Sequence, residues 1–306
     1  MRLKRGGSGL PLELRMPFFA QTSVMGALKI PEKENKAKSS FNALYCEDCG
    51  LVSQYLHELR ASIVYAKHIQ ESVLPRPEIF RSVFRKSFVL YMPRDMVSGD
   101  IYWFSIKKGK IIIAAIDCTG HGVPGALLSM IANNLLNQTV NEKNLTCPSN
   151  ILYEVDRGLR KTFNQNTNGS GISDGMSVAV CAFDLSFTSL EFAGADMPLY
   201  VLKGNKAITL NGNRHAIGRS MTADNYENSH LGLGAGDRIY LMSDGLNDQF
   251  GGPENRKFMQ WRFLEFIQSG SKMPIDEQGD ALKKIIRQWK GDQRQTDDIM
   301  LIGIEA

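Results

Sequence analysis

Four carboxylates stand where apolar runs begin or end. Asp100 follows Ser98-Gly99 and precedes IYWF, and Asp117 closes the run Ile111 to Ile116. Asp244, in Ser243-Asp244-Gly245, closes Ile239 to Met242, and Asp297, first of the pair Asp297-Asp298, opens Ile299 to Ile304. Crowded into one fold, such carboxylates repel one another unless cations hold them. Hard oxygen ligands select Mg²⁺ or Mn²⁺, and no His/Cys set at zinc spacing competes. Two such ions activate a water and stabilise the oxyanions of an in-line displacement at phosphorus. Read from the residues alone, this is the chemistry of a two-metal phosphohydrolase.

The elements that must position these acids are legible around IIIAAIDCTGHGVPGA, residues 111–126. The apolar run is short, β-branched and closed by glycines, which makes it a buried strand. Pro124 suits the first turn of a helix, where its missing N–H costs nothing. Gly120-His121-Gly122-Val123-Pro124-Gly125 also fits the dinucleotide fingerprint G-x-G-x-x-G. That reading requires a second parallel strand after the helix, ending in an acid. A second amphipathic helix, ILYEVDRGLRKTF, stands there instead.

Elsewhere the pattern is mixed. Residues 1–50 carry Gly/Pro breaks and the charged patch EKENKAK, and are expected to form a flexible lead-in. Residues 51–74 lack Gly and Pro and stop at Pro75, so 51–75 reads as a linker helix. Val52, Leu56, Leu59, Ile63, Ala66 and Val73 make an a/d seam with Gln70 as its polar exception. Such a seam either packs on its own domain or dimerises, with Gln70 as a register device. From residue 83 two strands joined at KKGK are expected, placing Asp100 across a hairpin from Asp117. Helices at about 124–140 and 149–165 follow, then a polar loop, NQNTNGSGISDG. Four short strands, from MSVAVCAFDL to KAITLN, read as an antiparallel meander. Asp174 and Asp196 fall at turns, where a lone aspartate is ordinarily a turn residue. Helices over about 253–290 and a last strand complete an α+β sandwich, with antiparallel sheets inside and helices outside.

Composition narrows the function. The 306 residues carry a formal charge of +4, 43% apolar and 22% charged residues, ordinary for a globular chain. No basic stripe with interleaved aromatics points to nucleic acid, and no apolar run reaches membrane-span length. Five cysteines, without framework spacing, fit a reducing compartment, and a cytoplasmic location is expected. Cys46 and Cys49 form a lone C-x-x-C with neither a second pair nor a βαβ context, so free thiols are expected. Cys118 lacks the nearby arginine that a cysteine phosphatase requires.

VSGDIYWF, DCTGHGVPGALLSM, DGMSVAV, LEFAGADMPLYVL, GDRIYLMSDGLNDQFGG and QTDDIM occur in this order. Together they resemble the SpoIIE-like branch of the PPM metal-dependent serine/threonine protein phosphatases, over about residues 65–306. The resemblance implies a PPM-type αββα sandwich at 76–306, two Mn²⁺ or Mg²⁺ ions, and a metal-bound hydroxide as nucleophile. By motif, Asp100, Asp117, the backbone carbonyl of Cys118, Asp244 and Asp297 would ligate, Asp117 bridging both ions, with Asp298 as a further ligand. Arg94, shortly before Ser98-Gly99-Asp100, would hold the substrate phosphate. The implied substrate is a phosphoserine or phosphothreonine protein, often a small STAS-type anti-sigma-factor antagonist in partner switching. YAKHIQESVLP resembles the linker that joins the family's catalytic domain to sensors, which implies that helix 51–74 passes signals by repositioning elements that carry metal ligands, while a homodimer through helix 51–74 is the dimerising reading of its seam. A phosphatase-fold docking protein with little turnover is the alternative, against which the presence of all four acids counts.

Overall fold

The computed structural model describes residues 47–163, 174–219 and 225–306. The expected lead-in up to residue 46, including Cys46, and most of the polar loop before Asp174 lie outside the described residues.

Helix α1 (Glu47–Val73) is followed by the short helix α2 (Pro77–Val83). Strands β1 (Ser87–Met92), β2 (Ile101–Lys107) and β3 (Lys110–Cys118) come next. Helix α3 (Gly122–Leu136) runs into a π-helical turn (Asn137–Glu142), and α4 spans Pro148–Thr162. Strands β4 (Met176–Asp184), β5 (Ser189–Ala195), β6 (Leu199–Lys203), β7 (Lys206–Leu210), β8 (Ser229–Gly232) and β9 (Arg238–Met242) precede a single turn, α5 (Gly245–Asp248). The chain ends with a hairpin of β10 (Phe250–Gly251) and β11 (Arg256–Lys257), helices α6 (Gln260–Ser269) and α7 (Ile275–Lys290), and strand β12 (Ile299–Glu305).

Two five-stranded antiparallel sheets form, in the orders β2-β3-β4-β5-β8 and β1-β12-β9-β6-β7. β3 explains why the central run is unbroken. Its even residues, Ile112, Ala114 and Ile116, face a cluster with Leu128, Leu136, Ile151 and Leu159 of α3 and α4. Its odd residues, Ile111, Ile113 and Ala115, face Val201, Ile239, Leu241 and Ile302 of the other sheet. A strand covered on both faces has no position for a polar side chain, and each such residue contributes about 1.5–3 kcal/mol by burial. A third cluster seals the second sheet under Phe263, Ile267, Leu282 and Ile286 of α6 and α7. The αββα sandwich is therefore present as expected.

The dinucleotide reading falls here, because β3 pairs antiparallel with both β2 and β4 and, among the described residues, no parallel strand follows α3. Two element readings are also corrected. The stretch from residue 83 contains three strands, and β1 joins β12 in the opposite sheet. The four-strand meander is split: β4 and β5 belong to one sheet, β6 and β7 to the other. The break comes at Asp196-Met197-Pro198, where Asp196 takes φ +57° and Met197 is buried between the sheets.

Candidate active site

Antiparallel pairing brings the acids to one end of the sandwich. Ile101 pairs with Ile116, so Asp100, before β2, adjoins Asp117, near the end of β3. β9 and β12 are neighbours, so Asp244, after β9, adjoins Asp297 and Asp298, before β12. One sheet supplies the first pair and the other sheet the second. The Asp244 N–H lies 3.4 Å from Asp117 Oδ2, bridging the two sheets. Asp117, Cys118, Asp244 and Asp297 line one cleft of about 240 Å³ with Thr119, Gly120, Ser177, Asp196, Ala216 and Arg219.

Asp100 lies behind this cleft, 2% exposed, and its Oδ2 has no hydrogen-bond partner. Burial, then the charge of Asp117, raises the Asp100 carboxyl well above the usual carboxylate range. Burial, then Asp244, pushes Asp117 up to about 8. Burial, then Asp248 and Asp297, raises Asp244. Carboxylates that impede one another's ionisation, one with an orphaned oxygen, fit a divalent cation. Among the described residues no three acidic, histidine or cysteine groups already form a cage. An ion held here would draw on one or two of these carboxylates, with carbonyl oxygen and water completing its shell, as is common for Mg²⁺.

Asp298 has a different place. It is buried, and its Oδ1 and Oδ2 accept the backbone N–H groups of Arg94 (2.7 Å) and Gly99 (2.8 Å). It fastens the loop 93–100 that carries Asp100. The loop has further ties: Tyr91 Oη donates to the Asp100 carbonyl at 3.0 Å, and His121 Nδ1 meets Asp95 Oδ2 at 2.8 Å. Arg94 contributes through its backbone N–H. Its side chain is exposed and is not among the residues lining the cleft. The Cys118 thiol is buried and raised by that burial, then by Asp117, so it is held as an inert thiol.

The glycines of Gly120–Gly125 serve packing. A Cβ on Gly99 would stand 2.6 Å from the Gly120 carbonyl oxygen and 3.1 Å from that of Cys118. One on Gly125 would collide with the same Gly120 carbonyl. The Asp100 loop and the start of α3 thus meet backbone to backbone.

Gln70 follows the packed alternative for the seam. It is 4% exposed, and its side-chain amide donates to the Ser98 carbonyl (2.6 Å) and Ser129 Oγ (2.9 Å) while accepting the Ser98 N–H (3.0 Å). It is a lock between α1 and the Asp100 loop and not a register device. A lone polar residue in an apolar seam was the available signal. Arg219 and Asp196 were not singled out as site residues, yet both line the cleft.

The family model described as Stage II sporulation protein E (SpoIIE) matches residues 107–306. Phosphoserine phosphatase RsbP of Bacillus subtilis (strain 168) is 21% identical over 198 residues, 64% of this chain and 47% of that protein. The chain therefore spans about half the length of that curated relative. The SiaA-PP2C domain of Pseudomonas aeruginosa is 30% identical with a TM-score of 0.75, covering 82% of this chain and 98% of that one. The PP2C phosphatase domain of SpoIIE from Bacillus subtilis shares the fold, with a TM-score of 0.59 at 18% identity, over 72% of this chain and 63% of that one. With two antiparallel sheets between helix layers and the acids gathered at one end, the chain belongs to the SpoIIE family of PPM (PP2C-type) phosphatases.

Proposed function

We propose that the chain is a divalent-cation-dependent phosphoserine/phosphothreonine protein phosphatase. The observation that carries this reading is the orphaned Asp100 Oδ2 beneath the cleft lined by Asp117, Asp244 and Asp297. Asp100, Asp117, Asp244, Asp297 and the Cys118 carbonyl would hold two Mn²⁺ or Mg²⁺ ions. When bound, such ions acidify water and offset the charge that builds on phosphoryl oxygens. Asp117 reaches toward both sheets through its contact with the Asp244 N–H and suits a shared position. Asp298 holds the Asp100 loop from behind. No side-chain nucleophile is assigned, since Cys118 is buried and that burial pushes its thiol upward, away from the thiolate.

The substrate we assign is a small phosphorylated regulatory protein of the STAS type, in a cytoplasmic partner-switching system. Support comes from the family and from the name of the relative RsbP, a phosphoserine phosphatase. Exposed Val52, Tyr55, Leu56 and Leu59 on α1 support a homodimer through that helix. No helix among the described residues is long and apolar enough to cross a membrane.

The test is hydrolysis of a phosphoserine peptide and of p-nitrophenyl phosphate with Mn²⁺, Mg²⁺ or EDTA, for wild type, Asp117→Asn and Asp244→Asn. Cation-dependent turnover that both variants abolish is expected. Absence of turnover with either ion would leave a docking protein on a phosphatase fold.

A further inference from the structure

Among the described residues lining the cleft, Arg219 is the one cation, set among Asp117, Asp196, Asp244 and Asp297. Its side-chain hydrogen bond goes to no carboxylate: Nη2 donates to Thr119 Oγ1 at 3.2 Å. A guanidinium has five N–H donors in a planar fork, so most of them remain available to a ligand. An arginine placed to neutralise the acids would fork onto one of them, and Arg219 does not.

Its position is built in from below. Gly218, at φ +84°, donates its N–H to Asp156 Oδ1 at 2.7 Å. Asp156 is fully buried on α4 and holds the Arg160 guanidinium at 2.8 Å and 3.1 Å. Ile217 pairs with Met176 through two backbone bonds of 2.9 Å and 3.0 Å. Gly175 leaves room for the side chain: a Cβ there would stand 2.9 Å from Arg219 Cγ and would strike the Ile217 carbonyl. Thr119 Oγ1 in turn accepts the Gly175 N–H at 3.3 Å. Thr119 lies two residues beyond Asp117, so the guanidinium is anchored beside the acids that would hold the ions.

Resting on the phosphatase reading above, we infer that Arg219 is the phosphate-binding residue of the cleft, forking onto the phosphoryl oxygens of the substrate and of the phosphate product. A planar guanidinium matches two phosphate oxygens at once, and such charge-assisted bonds are the strong ones. Thr119 fixes the orientation of the fork. Arg219 is assigned this role in place of Arg94, because Arg219 lines the cleft and Arg94 does not.

The test is calorimetric titration of the full chain, in Mg²⁺, with inorganic phosphate, beside steady-state hydrolysis of a phosphoserine peptide. Arg219→Ala should weaken phosphate binding by about tenfold or more and raise KM by a similar factor. Arg219→Lys should recover part of the affinity, and Arg94→Ala should match wild type. The rise in Tm with Mn²⁺ should be the same in Arg219→Ala and wild type. Turnover by wild type with unaltered phosphate affinity in Arg219→Ala overturns the inference and leaves the phosphatase standing. A wild type that binds phosphate through Arg219 without hydrolysing the peptide upholds the inference and sinks the phosphatase. Absence of phosphate binding in wild type, or loss of the Mn²⁺ effect in Arg219→Ala, overturns the inference as well.

Discussion

Gln70 grips Ser98 at both backbone groups: its Nε2 donates to the Ser98 carbonyl at 2.6 Å and its Oε1 accepts the Ser98 N–H at 3.0 Å. Ser98 is fully buried and two residues from Asp100. Gln70→Ala leaves the buried Ser98 N–H without a partner and its carbonyl with only the long contact to Ser129 Oγ at 3.5 Å, at a cost of about 1–3 kcal/mol. Urea unfolding should show that loss, and Mn²⁺ titration should show an affinity lower by about tenfold, as when a residue supporting a ligand is removed. Equal Mn²⁺ affinity in the variant would confine Gln70 to stability alone.

Asp117→Asn should separate the stability of the ion-free protein from that of the loaded one. Burial and Asp244 push Asp117 up to about 8, so neutralising it relieves the carboxylate cluster. In EDTA the variant should melt at or above the wild-type temperature. In Mn²⁺ at a hundred times its Kd, the wild type should gain about 2.7 kcal/mol, and the variant much less. Scanning fluorimetry with and without the ion makes the comparison, and a variant that gains as much as wild type removes Asp117 from the ion site.

Glu305 supplies a pH dependence remote from the cleft. Burial pulls its carboxyl upward, but hydrogen bonds from Lys86 and Arg238 outweigh that and hold it below the usual glutamate value. Arg238 donates to Glu305 at 2.8 Å and 2.9 Å, and both side chains are largely buried. A depressed folded-state pKa gives stability that is complete above the unfolded value, about 4.3, and is lost as pH falls through the folded one. Wild type should therefore exceed Glu305→Gln by a constant margin at neutral pH. Denaturation measured from pH 7 to pH 3 should show the margin shrinking below about 4.3, and a margin that widens on acidification contradicts the pairing.

Gly125→Ala places a methyl group against the Gly120 carbonyl and within 3.0 Å of the Gly99 Cα. Neither neighbour is a flexible side chain. The cost should be that of overpacking, about 1–3 kcal/mol, with loss of turnover as the Asp100 loop shifts. Gly204→Ala is the contrast, since a Cβ there meets nothing within 4 Å although its φ is +57°. Gly204→Ala should keep full activity while losing some stability to backbone strain.

Leu56→Glu tests the stripe on α1. Leu56 is 58% exposed, and Val52 and Leu59 flank it along the seam. Sedimentation velocity over a range of concentrations should show a self-associating wild type and a monomeric variant. A wild type that stays monomeric at every concentration dismisses the dimer.

The hairpin carrying Asp100 and Asp117 was readable because an apolar run with a glycine turn fixes both strand and register. Asp244 and Asp297 were readable for the same reason, each bordering a run buried on both faces. The role of Gln70 stayed open in the sequence because an a/d seam describes one helix surface without naming what covers it, and its last turns pack onto Ser98 and Ser129. The change of sheet at Asp196 left no mark in the pattern of β5 and β6, since both strands are buried on both faces over most of their length. Arg219 sits in GNRHAIGRSM, a stretch without periodicity, and tertiary contacts, the packing of Gly218 on Asp156 and the pairing of Ile217 with Met176, bring it to the cleft.

Strand β12 is the last strand of the fold to be synthesised, yet it lies between β1 and β9. A nascent chain halted anywhere before residue 299 holds a sheet with its second strand missing, and β1 has no partner in that sheet. Asp298, which fastens Gly99 across 199 positions of sequence, is not in place until then. Contacts of such long range close late and slowly. The acidic end of the sandwich is thus completed only when β12 pairs with β1, and until then the Asp100 loop lacks its tie to Asp298.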